Sequence, residues 1–207
     1  MFFLLIPTHV FSSSSTVLQM PDNSGRGLWP YNSRLIDNKL FAGGTPFHPQ
    51  KPENNKTHVK EILNRLKRIG INSIIILHVP VEDSEVKAEE MIAESAGLKT
   101  FRMRMNAETV PSPDETQILM ELIQNRAYVH CQWGADRTGA IIAKYLRKYH
   151  KYTGRQAWEA VITGGSHAGK IGGLKKDPKY AKLLLYFWPE VTSEAPEICE
   201  IYKIQCN

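Results

Sequence analysis

A cysteine and an arginine with five residues between them, Cys131 and Arg137, lie in the stretch His130-Cys131-Gln132-Trp133-Gly134-Ala135-Asp136-Arg137-Thr138-Gly139. That spacing suits a thiolate that attacks phosphorus from inside a phosphate-binding loop. Backbone N–H groups of such a loop turn inward and ring the phosphate oxygens, and the helix that follows aims its positive end at the same point. The environment favours thiolate over thiol and lowers a cysteine pKa from about 8.5 to roughly 3.5–7.5. Arg137 is then placed to clamp two equatorial oxygens with its planar fork, a geometry lysine cannot reproduce. The Thr138 hydroxyl is placed to stabilise the sulfur as it leaves a phosphocysteine intermediate. Gln132, Trp133, Gly134, Ala135, Asp136 and Arg137 are the residues expected to bind the phosphorylated group.

The flanks supply the setting that this chemistry needs. Tyr128-Val129-His130 reads as the end of a short buried strand. Thr138 through Tyr149 reads as a helix, with Ile141, Ile142, Tyr145 and Leu146 on one face and Lys144, Arg147 and Lys148 on the other. Upstream, Thr57–Ile69 carries a stripe of Val59, Ile62, Leu63, Leu66 and Ile69, stopped by Gly70. Ile71–Val79 is a nearly continuous apolar run, suited to a strand covered on both faces. A helix capped by Asp83 or Ser84 runs to Ala96, with Gly97 just past its end, and Leu98–Met105 alternates as a half-buried strand. Ser112-Pro113-Asp114-Glu115 opens a further helix with a capping box and a proline at its first position. Another helix starts near Arg155 and ends at Gly164-Gly165, and a last one starts at Asp177-Pro178. Repeated strand–helix–strand crossovers predict an α/β fold, a mainly parallel sheet with helices on both faces.

The segment His130–Gly139 resembles the active-site loop of the protein tyrosine phosphatase superfamily, and its Asp136-Arg137-Thr138-Gly139 ending resembles the bacterial dual-specificity-like branch. Asn38 through Pro46 is similar to the family's entry strand, although the basic residue often found after its aromatic is here Ala42. Leu66 through Ile75 resembles its first helix-to-strand passage, and Ala157 through Gly165 its helix after the active site. The likeness covers about residues 34–190, and only the loop motif is highly specific. It implies a cysteine-dependent phosphomonoesterase that acts on phosphotyrosine, with phosphoserine or phosphothreonine as further substrates. The alternative within the same chemistry is an inositol-phosphate or phosphoinositide phosphatase. Relatives of that kind tend to carry lysines inside the loop, where Gln132, Trp133 and Ala135 stand here.

Phosphoryl transfer to Cys131 releases an oxyanion that a general acid should protonate. Three carboxylates compete for that role. Asp114 has the side chain usual in the family, but a carboxylate in the first turn of a helix is also favoured by the helix dipole alone. Glu108 lies in the preceding loop and is one methylene longer. Asp136 sits inside the phosphate loop, where it could equally orient the loop or Arg137. His130 is expected to hydrogen-bond around the loop and tune the cysteine. Trp133 either packs beneath the loop or lines its mouth. The basic run Lys170 through Lys176 reads as a solvated loop.

Two other classes are open to the same motif. A non-catalytic phosphate reader usually loses the cysteine or the arginine, and both are present. A sulfur-transfer or arsenate-reducing enzyme also wraps an anion loop around cysteine, but His130 and the Thr138-Gly139 pair argue against it.

The chain has 207 residues, room for one domain with a full core. We expect a leader or flexible arm over residues 1–24, a phosphatase domain over 25–190 and a C-terminal tail over 191–207. A formal charge of +5 favours anionic partners. The expected partner is a phosphorylated protein or other phosphomonoester, not nucleic acid, and the chain is expected to be a monomer. The histidines form no cluster with metal-ligand spacing, so neither metal nor other cofactor is expected. No apolar run approaches the roughly 20 residues of a membrane span. Phe2-Phe3-Leu4-Leu5-Ile6 followed by Ser12–Ser15 has the outline of an export signal, yet no basic residue precedes Arg26. The compartment therefore stays open between exported and cytoplasmic. Cys199 and Cys206 are close enough in sequence for a local disulfide, or for two free thiols.

Overall fold

The computed structural model describes residues 18–19, 27–47, 56–78, 83–162 and 173–206. Among them the strands are β1 (Leu18–Gln19), β2 (Arg34–Leu35), β3 (Leu40–Gly43), β4 (Ser73–Leu77), β5 (Lys99–Met103) and β6 (Ala127–His130). The helices are α1 (Lys56–Arg68), α2 (Ser84–Ser95), α3 (Pro113–Gln124), α4 (Asp136–His150), α5 (Gly154–Val161), α6 (Ala181–Phe187), α7 (Val191–Glu194) and α8 (Pro196–Tyr202). A 3-10 turn, Pro178–Tyr180, leads into α6.

The strands form one sheet in the order β1-β2-β3-β6-β4-β5. β3, β6, β4 and β5 are mutually parallel, and β1 and β2 add on antiparallel at one edge. Strand side chains alternate between faces with period two, and β4 shows the consequence. Ile75 and Leu77 enter the larger core with α3, α4, α5, α6 and α8, whereas Ile74 and Ile76 enter the smaller core with α1 and α2. The strand carrying the cysteine, β6, lies between β3 and β4, so the loop at its end is supported from both sides.

Local signals place most elements where they were expected. Asp83 caps α2 through the Glu85 and Val86 N–H groups, and Ser112 with Glu115 closes a full capping box on α3. Gly97 takes φ +72°, the left-handed turn after α2. The helix after the cysteine begins two residues earlier than expected, at Asp136, so Asp136 and Arg137 belong to its first turn. α5 ends at Val161, short of the expected stop; Gly164-Gly165, Lys170 to Gly172 and Val79 lie outside the described residues, as does most of the expected leader. Leu18–Gln19 within that leader pairs with β2.

Residues beyond 190, expected to form a tail, carry α7 and α8 and join the larger core through Val191, Ala195, Ile198, Cys199 and Tyr202. The stretch is short, and its apolar residues form a stripe only once they pack into the larger core. Trp158 Nε1 donates to Tyr202 Oη at 3.2 Å, and Cys199 pairs with Cys206 in a disulfide. No helix among the described residues is long and apolar enough to cross a membrane.

Candidate active site

Cys131 follows the last residue of β6, and the loop Gln132–Ala135 carries the chain into α4. The turn depends on Gly134, whose φ is +65°. A Cβ built there would lie 2.3 Å from the Gly43 carbonyl carbon, so the position needs glycine both for its backbone angle and for its space. The strand end Gly43-Gly44-Thr45 braces the loop from the side. Thr45 N–H donates to the Gln132 carbonyl at 3.1 Å, and Tyr128 Oη donates to the Gly44 carbonyl.

Cys131 is the one free cysteine and is only 5% exposed. Burial by itself raises a thiol pKa, yet here the net direction is down. The Arg137 charge, the Thr138 hydroxyl and the backbone N–H groups of Thr138 and Ala135 outweigh the burial. Thr138 Oγ1 donates to Cys131 Sγ at 3.2 Å. The Arg137 guanidinium is tied to the Leu77 carbonyl at 2.8 Å, which fixes its plane at the end of β4.

In front of the sulfur opens a pocket of about 560 Å³. Its lining includes Cys131, Gln132, Trp133, Asp136 and Arg137 from the loop and α4, together with Glu108 from the β5–α3 connection. Lys179 and Tyr180, from the 3-10 turn before α6, complete its wall. Trp133 lines this pocket and packs edge-on against Tyr31, with ring centroids 5.6 Å apart. Gly134 and Ala135 are buried beneath the mouth.

The three carboxylates separate cleanly. Asp114 is exposed in the first turn of α3 and is no part of the pocket lining. Asp136 is engaged, with Oδ1 accepting from Lys175 N–H at 3.0 Å and the carboxylate accepting from the Tyr180 hydroxyl. Glu108 is exposed and projects from a tight turn in which Asn106 Oδ1 accepts from the N–H groups of Glu108 and Thr109, at 2.7 and 2.6 Å.

Behind the loop stand charged residues that sequence reasoning missed. Glu89 of α2 is 1% exposed, and its Oε1 lies 2.9 Å from His130 Nε2. Burial pushes the His130 imidazole pKa down, but the adjacent Glu89 carboxylate reverses this and the net direction is up. Its only sequence signal was a glutamate in register with Val86 and Ala93, the inward stripe of α2. Arg34 of β2 is completely buried, and Asn32 beside it is 3% exposed. A second cavity of about 140 Å³ shares Cys131 and Gln132 with the main pocket and reaches back to His78, Asp83 and Glu89.

Residues 50–150 match the family model described as Tc-R-P, polymorphic toxin system, DSP-PTPase phosphatase. No curated protein matches the chain by sequence. Among solved structures, a Cys→Ser variant of P. aeruginosa TpbA in complex with pTyr is 13% identical over 92% of this chain and 96% of that one, with a TM-score of 0.56. PTPMT1 is 18% identical over 80% of this chain and 99% of its own, with a TM-score of 0.53. The core catalytic domain of the PP-IP phosphatase SIW14 from S. cerevisiae, in complex with citrate, is 16% identical over 85% and 97%, with a TM-score of 0.51. At such identities the likeness is one of fold: a mainly parallel sheet flanked by helices, as the strand–helix pattern predicts.

Proposed function

We propose that this dual-specificity-like phosphatase of the protein tyrosine phosphatase superfamily hydrolyses phosphotyrosine through a phosphocysteine intermediate on Cys131. The observation that carries the reading is the sulfur's surroundings. A buried cysteine is held below its ordinary pKa by Arg137, the Thr138 hydroxyl and the N–H groups of Thr138 and Ala135, in the lining of a pocket large enough for an aryl phosphate. In the first step Cys131 Sγ attacks phosphorus, the bond to the leaving oxygen breaks, and that oxygen takes a proton from a carboxylic acid. Glu108 is the carboxylate we assign to this step, since it lines the pocket without a structural engagement like that of Asp136. In the second step water displaces the thiolate and releases phosphate, with Thr138 stabilising the departing sulfur.

Trp133 and Tyr180 on the pocket wall favour an aromatic ester. The TpbA structure in complex with pTyr is consistent with that preference in a protein of the same fold. A polyphosphorylated inositol is the second reading, favoured by Lys179 at the pocket and by the likeness to a PP-IP phosphatase. The loop itself offers Gln132, Trp133 and Ala135 where lysines would serve that substrate better.

The test is phosphate release from a phosphotyrosine peptide, a phosphoserine peptide and a polyphosphorylated inositol. Cys131→Ser should abolish turnover while binding persists, and Arg137→Lys should lose on the order of 100-fold or more. Across aryl and alkyl esters, Glu108→Gln should hurt poor leaving groups far more than good ones, whereas Asp114→Asn should not change that dependence. Undiminished turnover by Cys131→Ser would overturn the covalent mechanism.

A further inference from the structure

We propose that Asn32 and Arg34 form a buried brace that orients the phosphate loop around Cys131, acting as positioning residues that do not touch the substrate. The inference rests on the reading of Cys131 as the reactive thiolate. It begins with a cost: a guanidinium is charged at every ordinary pH, and burying a charge is expensive unless it is paired. Arg34 is nevertheless completely buried, on the short strand β2, directly opposite Ala42 in the antiparallel register. Directly opposed residues share a face of the sheet, and Ala42 lies in the same core as Cys131. Ala42 carries only a methyl group, which leaves the space beside it to the longer side chain.

The partners of Arg34 lead to the loop. Its Nη1 donates to the Asn32 carbonyl at 2.8 Å. Asn32 has φ +55°, the left-handed conformation that asparagine tolerates better than most residues. Held there, its side-chain Nδ2 donates to the carbonyls of Gly134 at 3.1 Å and Trp133 at 3.4 Å. In a planar trans peptide the C=O of one residue and the N–H of the next point in opposite directions. Pinning the Gly134 carbonyl toward Asn32 therefore turns the Ala135 N–H the other way, and that N–H donates to Cys131. The Trp133–Gly134 peptide is turned in the same sense.

Electrostatics act along the same line. The ionisable groups that bear on Arg34 include Cys131 and Tyr128. Burial pushes Arg34 down to about 10, so it stays charged at neutral pH, while burial pushes Tyr128 well above its ordinary value and keeps it neutral. Of these two, the group that can face the buried guanidinium as an anion is thus Cys131, as its thiolate. Arg137 from α4 faces the same sulfur, and His130 with Glu89 of α2 stands beside it.

The experiment reads the thiolate directly, by the pH dependence of Cys131 alkylation with iodoacetamide, alongside turnover of an aryl phosphate. Asn32→Gly keeps the left-handed backbone and deletes only the amide. It should raise the alkylation midpoint by about one unit, the scale of one hydrogen bond to a charged group, and lower kcat about tenfold. Arg34→Met should raise the midpoint similarly, and Arg34→Lys should restore most of it by returning the charge. A midpoint unchanged in a folded Asn32→Gly protein overturns the brace, whether or not Arg34→Met folds. A wild type with an acidic thiolate but no phosphatase turnover would instead count against the function proposed above, and leave the brace standing on the alkylation data.

Discussion

Replacing Thr138 by valine tests the sulfur's environment at a single atom. Thr138 is completely buried, and its hydroxyl donates to Cys131 Sγ at 3.2 Å, so valine fills nearly the same volume while water gains no access to take over the bond. The hydroxyl's other contact, to the Gly43 carbonyl at 3.5 Å, is too long to carry much energy. A hydrogen bond to a charged group is worth about 1.5–3 kcal/mol. At about 1.36 kcal/mol per pKa unit, its loss should raise the thiolate pKa by roughly one to two units. The same energy applies to the second step, in which the thiolate leaves phosphorus, so hydrolysis of the intermediate should slow by roughly 10- to 100-fold. The first step suffers less once the cysteine is deprotonated, because a destabilised thiolate is also a stronger nucleophile. Thr138→Val should therefore show a burst of aryl alcohol equal to the enzyme present, followed by slow steady turnover. Thr138→Ser should stay near wild type in both alkylation and turnover. An alkylation profile that does not move in Thr138→Val, together with turnover that shows no burst, would refute the role assigned to the hydroxyl.

Gly134→Ala should lower kcat by more than roughly 100-fold, since the loop must shift to relieve the clash with Gly43 and a displacement near 1 Å is enough for such a loss; steady-state kinetics with an aryl phosphate measure it. Glu89→Gln should move the His130 titration downward, as followed by NMR of the imidazole. The wild-type His130 is raised, so the stability it contributes is present at low pH and lost as pH rises through its folded value; in Glu89→Gln that pH dependence should flatten. Asp37 ties the β2–β3 turn to the end of α4, accepting from Tyr145 Oη at 2.7 Å and lying 2.8 Å from His150 Nε2. Burial raises its pKa, but these contacts and the Leu40 and Lys39 N–H groups bring the net direction down. The stability from Asp37 is therefore present above the ordinary aspartate value of 3.8 and lost as pH falls below it. Thermal melts of Asp37→Asn should show a lower Tm near neutrality and a shallower decline in acid than wild type.

What the sequence by itself determined is what depends on near neighbours along the chain. The Cys131–Arg137 loop, the glycine that turns it, the capping box at Ser112 and the continuous apolar run of β4 each show in a few consecutive residues, and the capping bonds close within one turn. Those signals were enough for the α/β architecture and for singling out the sulfur and the guanidinium proposed to act on phosphate. Tertiary structure decided everything that depends on what packs against the loop. Asp114, Glu108 and Asp136 look alike as carboxylates in a sequence; only the folded chain leaves Asp114 in the solvent at a helix start, ties Asp136 to Lys175 and Tyr180, and sets Glu108 at the rim among the residues that line the pocket. Asn32 and Arg34 carried no local pattern of their own, and Glu89 only its register with the inward stripe of α2. Asn32 and Arg34 lie about a hundred residues from Cys131 in sequence, and their importance arises when β2 pairs with β3 and β3 with β6. The physical reason is that burial sets the strength of a charge, and no residue knows from its near neighbours in the chain how much water will remain around it.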